Sequence, residues 1–197
     1  MRSDNGANRL GVNNSIIDGG WIDEVRPAQG RWTAFALRGS SAHEAGMQFN
    51  KIRNTRVNNA SVGVSIVADG RGGYINSNTF EFLRLWACRN FVDFQQTLPA
   101  TSYLHPPIWG NTFWDLQCQC QAGSASPVQT QIGINRIAGI HNTFLEVKVW
   151  DIQRAVAPAR TAHVSSSANR TLIIGGILAG AGTNFLDQGA GTRIVDS

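Results

Sequence analysis

Along this chain, apolar and polar residues alternate in short stretches that restart at nearly constant intervals. Three restarts carry the same word: Asn78-Thr79-Phe80, Asn111-Thr112-Phe113 and Asn142-Thr143-Phe144. Each opens an alternating run, namely Phe80 to Trp86, Phe113 to Cys120 and Phe144 to Trp150. Alternation at period two reads as half-buried strand, because successive side chains of a strand point to opposite faces. The three phenylalanines stand 33 and 31 residues apart. The frame extends upstream to Phe49 and Ile16 and downstream to Leu172, so six heads are expected at 16, 49, 80, 113, 144 and 172. Two residues before them stand Asn14, Met47, Asn78, Asn111, Asn142 and Arg170, which is Asn in four of six.

A unit of about 30 residues made only of short strands and turns cannot bury its apolar face alone, but copies stacked on one another can. The pattern therefore predicts an all-β fold, a single-stranded right-handed parallel β-helix (solenoid) of about six coils with ~31 residues per coil. The helix is expected over residues 13–197, after a polar lead-in over 1–12. At a strand spacing of ~4.8 Å, six coils make a stack roughly 30 Å long. Ile16, Phe49, Phe80, Phe113, Phe144 and Leu172 are expected to form one internal ladder. Asn78, Asn111 and Asn142 are expected to form another at a bend, each amide bonding its counterparts above and below. A propeller needs longer blades of four strands, and a β-sandwich gives no reason for the period.

Composition agrees. Glycine is abundant at 21 residues, asparagine at 16, and charged residues make up only 15%. That mix suits strands joined by tight turns rather than a helical bundle. The net charge of +4 comes from 15 Arg and 2 Lys. No basic run or nucleic-acid motif accompanies it, so no nucleic-acid partner is expected. Cys88, Cys118 and Cys120 are odd in number and lack zinc spacing, so buried free thiols formed in a reducing compartment are expected. MRSDNGANRL has no apolar core, so it does not read as a signal peptide. No run approaches the length of a membrane span. No metal site and no cofactor are predicted.

The Asn-Thr-Phe-x-x-apolar-x-apolar coil with Asn at its bend resembles the pectin-lyase-like right-handed β-helix superfamily, over residues 13–195. That superfamily includes polysaccharide lyases, glycoside hydrolases and the tailspike or tail-fibre proteins of bacteriophages. The free thiols and the leaderless start look more like the phage branch. The resemblance therefore implies a virion protein made in the host cytoplasm, a homotrimer, and cell-surface polysaccharide as its partner. A polysaccharide depolymerase, and a secreted or cell-surface adhesin, are the alternatives.

Outward residues carry whatever chemistry the chain has. Two after the heads stand Asp18, Lys51, Phe82, Asp115, Glu146 and Ile174. Asp115 and Glu146 are thus expected on adjacent coils, within the separation a retaining glycosidase needs, with one carboxyl raised by its like-charged neighbour. They are the candidate catalytic pair, against the plain reading of a solvated surface held by cross-strand ion pairs. Four after the heads lie Arg53, Arg84 and Lys148, candidate substrate-binding groups or the base of a lyase. Six after lie Trp86 and Trp150, candidate sugar-stacking rings. Trp86, Trp114, Trp150 and Leu145 are expected to face outward, as a subunit interface or a glycan platform. Asp93, Asp151 and Asp187 have no better claim to catalysis. His43, His105, His141 and His163 are separated in the frame and form no triad.

Overall fold

The computed structural model describes residues 2–3, 12–13, 15–23, 33–39, 46–69, 73–97, 107–120, 131–151, 160–176 and 185–195. Among them every element is a strand and every strand pairing is parallel. The strands stack into a β-solenoid of three sheets. Sheet B holds seven three-residue strands, from Ile16–Asp18 to Arg193–Val195, and sheet C holds five, from Trp21–Asp23 to Lys148–Asp151. Sheet A is the widest, with Thr33–Gly39, Val62–Ala68, Asn90–Gln96, Ile132–Ile140 and Arg160–Asn169 in succession. The chain runs B, C, A in each turn. Four complete turns separate the first and last strands of sheet C, and partial turns flank them, against the six coils expected.

The internal ladder exists, with a corrected membership. Ile17, Ile52, Phe80, Phe113, Phe144, Ile173 and Ile194 stand in register through sheet B, with Ile194 continuing the register but 48% exposed. They are 35, 28, 33, 31, 29 and 21 residues apart. The expected heads Ile16, Phe49 and Leu172 are therefore not in it. Ile16 and Phe49 are 65% and 57% exposed. Ile16 and Leu172 are one residue out of step, which in a strand reverses the face. Phe49 occupies a bend, three residues before the true core residue Ile52.

Aromatic packing follows from the strand spacing. The rings of Phe80 and Phe113 lie 4.5 Å apart at 4°, and those of Phe113 and Phe144 lie 4.9 Å apart at 8°. Parallel strands sit ~4.8 Å apart, so identical side chains in register must stack at about that distance. Sheet C contributes a second inner column, Ile22, Val57, Leu85, Cys118 and Val149.

The corners are turned by single residues with positive φ. Between sheets A and B they are Phe49, Ser77, Gly110, His141 and Arg170; between B and C they are Gly19, Asn54, Phe82, Asp115, Glu146 and Gly175. At each one the backbone N–H still reaches the carbonyl of the next turn, as in Ser77 N to Trp109 O at 2.9 Å and Asp115 N to Leu145 O at 3.0 Å. The stack thus bends without losing its hydrogen-bond ladder. A non-glycine residue in this conformation costs about 1–2 kcal/mol. Gly110 occupies the same corner as Ser77, one turn on. Ser77→Gly is therefore expected to raise stability by about 0.5 kcal/mol, the relieved strain less the extra entropy of an unfolded glycine. A lower urea midpoint for this variant would contradict the strain account.

Beside the first corner runs a buried asparagine column, Asn50, Asn78, Asn111 and Asn142. The expected trio is present, and Asn50 joins it. The Oδ1 of each of the last three accepts both the backbone N–H and the Nδ2 of the asparagine one turn earlier: Asn50 to Asn78 at 3.1 and 2.9 Å, Asn78 to Asn111 at 3.1 and 3.0 Å, Asn111 to Asn142 at 3.0 and 3.1 Å. A corner leaves backbone donors facing inward, and a buried donor must find a partner.

Candidate functional site: the outer face of sheet C

Strand alternation gives sheet C two outward rows. The first is Trp21, Arg56, Arg84, Gln117 and Lys148, and the second is Asp23, Asn58, Trp86, Gln119 and Trp150. Val57, Leu85, Cys118 and Val149 between them are buried, so alternation turns Arg56, Arg84, Trp86, Gln117, Gln119 and Lys148 away from the core. Neighbouring rungs lie ~4.8 Å apart. The face therefore presents indole, amide and cationic groups at a spacing comparable with the length of one sugar residue.

Its centre is a stacked assembly. The Arg56 guanidinium lies 5.2 Å from the ring of Trp21 and 4.4 Å from that of Trp86. Arg56 Nε also donates to Asn58 Oδ1 at 3.2 Å. Such contacts hold the guanidinium plane against ring faces. Trp21 is 67% exposed, and Trp86 is half-buried. Trp86 Nε1 is shielded from solvent without a hydrogen-bond partner, so this indole offers π surface rather than a donor. Arg84 stands directly over Arg56 in register and is exposed.

Of the residues singled out by sequence, Arg84, Trp86, Lys148 and Trp150 all belong to sheet C. For Trp150 only the strand position is described. Arg53 does not join them. The corrected register places it on sheet B, where its Nη2 bonds Asp18 Oδ2 at 2.6 Å. Asn54 Nδ2 reaches the other Asp18 oxygen at 2.8 Å. The Arg53 guanidinium, helped by Asn54, holds the Asp18 carboxyl below the usual carboxylate range. Sequence reasoning missed Arg56 and Trp21, the first of which holds the place given to Arg53. The signal lay in the asparagines: Asn50 precedes Ile52 by two residues, as Asn78 precedes Phe80.

Asp115 and Glu146 do occupy one corner on adjacent turns, at φ 47° and 52°. Both are half-buried. Lys148 Nζ lies 3.2 Å from Asp115 Oδ1, so a cation already neutralises one member of the pair. Phe82 holds the same corner one turn earlier and leans on Trp114, with ring centroids 5.1 Å apart. Trp114, Leu145 and Ile174 share one outward row of sheet B. Trp86 and Trp150 lie around the corner on sheet C, so the expected aromatic platform is divided between two faces.

Other reactive groups are engaged in structure. Asp93, in sheet A, is buried and accepts from Arg136 Nη2 at 3.1 and 3.2 Å, Asn135 Nδ2 at 2.8 Å and Gln95 Nε2 at 2.6 Å. Asp187 accepts from Gly189 N and Thr192 Oγ1. The side chain of Asp151 lies outside the described residues, as do His43 and His105. His141 sits exposed at a corner, and His163 Nε2 lies 3.0 Å from Gln188 Oε1. Burial pushes the Cys88 thiol up to about 12 and the Cys118 thiol well above its ordinary value. Both are therefore neutral core residues rather than nucleophiles. Among the described residues no group of three His, Cys, Asp or Glu is placed to hold a metal ion, and no helix is long and apolar enough to cross a membrane.

No protein-family model, curated protein or solved structure matches this chain.

Proposed function

We propose that this chain is a β-helix module of the phage tail-spike or tail-fibre type, a structural element that binds host cell-surface polysaccharide along the outer face of sheet C. The observation that carries the reading is the composition of that face: outward positions filled by indole, amide and cationic side chains at one-rung spacing. Indoles stack on the apolar faces of pyranose rings, and amides and guanidinium groups bond their hydroxyls. The row of Trp114, Leu145 and Ile174, with Phe82 beside it, supports assembly as a homotrimer, because exposed aromatic and aliphatic rows favour burial between subunits. A virion location follows from the same reading.

The test is retention on a panel of cell-surface polysaccharides, with chain mass measured by light scattering. The wild-type chain is expected to bind at least one polysaccharide, and Trp86→Ala to weaken that binding by about tenfold, near the upper end of one aromatic contact. Absence of binding across the panel would remove the polysaccharide reading, and a stable monomer would remove the trimer.

A depolymerase is the second reading. It is favoured by the placement of Asp115 and Glu146 on adjacent turns of one corner, beside the proposed binding face. Release of reducing ends or unsaturated uronate, abolished by Asp115→Asn or Glu146→Gln, is the result that would establish it.

A further inference from the structure

We infer that Arg56 and Arg84, stacked in register and flanked by Trp21 and Trp86, form a site for the anionic groups of an acidic polysaccharide, either carboxylate or sulfate. This inference rests on the proposed polysaccharide-binding face and names the class of ligand that fits it.

The first reason is electrostatic. Like charges placed directly opposite on neighbouring strands repel. Five cations of the described residues are matched by carboxylates: Lys51 with Glu81 at 2.9 Å, Arg53 with Asp18 at 2.6 Å, Arg136 with Asp93 at 3.1 Å, Lys148 with Asp115 at 3.2 Å, and Arg38 with Asp69; among the arginines without such a match, Arg56 and Arg84 are the pair that strand register sets directly opposite one another. Among the described residues, neither Arg56 nor Arg84 has an acidic partner. The carboxylates in the strands of this sheet are Asp23 and Asp151, whose side chains are not described. Two unneutralised guanidinium groups one rung apart attract an oxyanion, and a bound oxyanion relieves their repulsion.

The second reason is preorganisation. Arg56 is held between two indoles, and among the described residues only its Nε is hydrogen-bonded. Its two Nη groups remain as donors in a fixed plane, the geometry that suits carboxylate and sulfate oxygens. Fixing the side chain in the free protein removes an entropic cost of binding.

The third reason separates a glycan from a nucleic acid. A nucleic-acid strand carries a charge at every nucleotide and calls for a basic track along the groove. Here the positions beyond Arg84 in the row are Gln117 and Lys148, the latter neutralised by Asp115. One charged station followed by neutral amides fits a polymer whose anions are spaced apart by neutral sugar surface.

The experiment uses affinity electrophoresis of the whole chain in gels containing dextran, carboxymethyl-dextran or dextran sulfate of matched length. Retention by at least one charged dextran is expected to exceed that by plain dextran about tenfold or more, and to fall as salt rises. Arg56→Gln and Arg84→Gln are each expected to cut the excess about tenfold, and the double variant to abolish it. The preferred charged dextran identifies carboxylate or sulfate as the ligand group. Arg84→Gln is also expected to melt at or above the wild-type temperature, because it relieves repulsion. A lower melting temperature with unchanged retention would assign Arg84 a structural role and overturn the inference. Equal retention by charged and plain dextran, or a double variant that behaves as wild type, would overturn it too. If neutral members of the polysaccharide panel bind while charged dextrans show no excess, the anion site falls and the polysaccharide reading stands. If nothing in either set binds, both fall. Tighter binding of a thymidylate oligonucleotide than of any charged dextran would make the ligand a nucleic acid.

Discussion

Asn111→Ala is expected to lower the stability of this chain by about 3–5 kcal/mol, more than a surface substitution can. Asn111 is fully buried, and its side chain serves two other turns. Its Oδ1 accepts from Asn78 N at 3.1 Å and Asn78 Nδ2 at 3.0 Å; its Nδ2 donates to Ile75 O and Asn142 Oδ1. Alanine leaves the Asn78 backbone N–H without this acceptor and the Ile75 carbonyl without this donor, and takes one bond from the Asn78 amide. Each orphaned buried group costs about 1–3 kcal/mol. Asn111→Asp sharpens the test because it keeps the shape. It replaces a donor by an oxygen facing two oxygens, and buries a charge. The expectation is a loss at least as large as that of alanine at neutral pH. Urea denaturation of both variants measures it, and a loss below about 1 kcal/mol would show that water or backbone rearrangement satisfies the corner instead.

Phe113→Ala is expected to cost about 3–5 kcal/mol and to weaken communication between turns. The ring is fully buried between Phe80 and Phe144, and Phe94 approaches it from sheet A at 5.8 Å. Truncation removes a large apolar contact on both sides and opens a cavity midway along the column. In a solenoid, stability is approximately a sum of turn energies and interfaces between neighbouring turns. A deep cut at one interface is therefore expected to broaden the urea transition or split it in two, whereas Phe113→Leu is expected to cost less than about 1.5 kcal/mol and keep it single. A sharp single transition in the alanine variant would mean that sheets A and C couple the turns without the aromatic column.

The repeat was legible in the residues that repeat identically. Asn78, Asn111 and Asn142 must satisfy the same corner donors, and Phe80, Phe113 and Phe144 must fill the same column, so chemistry forces the same letters. At the N-terminal side the constraint relaxes: Ile17 and Ile52 do the work of phenylalanine, and the interval stretches to 35 and then shrinks to 28 residues. A frame assumed nearly constant then settles on Phe49, an aromatic that sits outside at a corner. Periodicity alone cannot separate a corner residue from a core residue when both are apolar. The same slip moved Arg53 into the row that Arg56 occupies. Arg84, Trp86 and Lys148 were placed correctly relative to their own heads, because the nearby words were intact. The sandwich of Arg56 between two indoles was invisible for a different reason. It joins residues on three turns, and its closeness depends on register across gaps of 35 and 28 residues.

The asparagine column also has a direction. Every Oδ1 in it accepts from the preceding turn, so the first acceptor, on Asn50, receives the backbone N–H of Ser15 at 3.1 Å. At the far end Asn142 directs its Nδ2 to Ala138 O of its own turn at 2.9 Å, and the next residue in register is Thr171, whose buried hydroxyl has no partner. The two ends of the column are thus chemically unlike. Two copies meeting end to end by the same end would not continue it. Continuation would require head-to-tail stacking, the geometry that builds open filaments rather than closed oligomers. With one N–H of its last asparagine turned to a carbonyl of its own turn and threonine next in register, the column stops at Asn142 instead of running on through the stack.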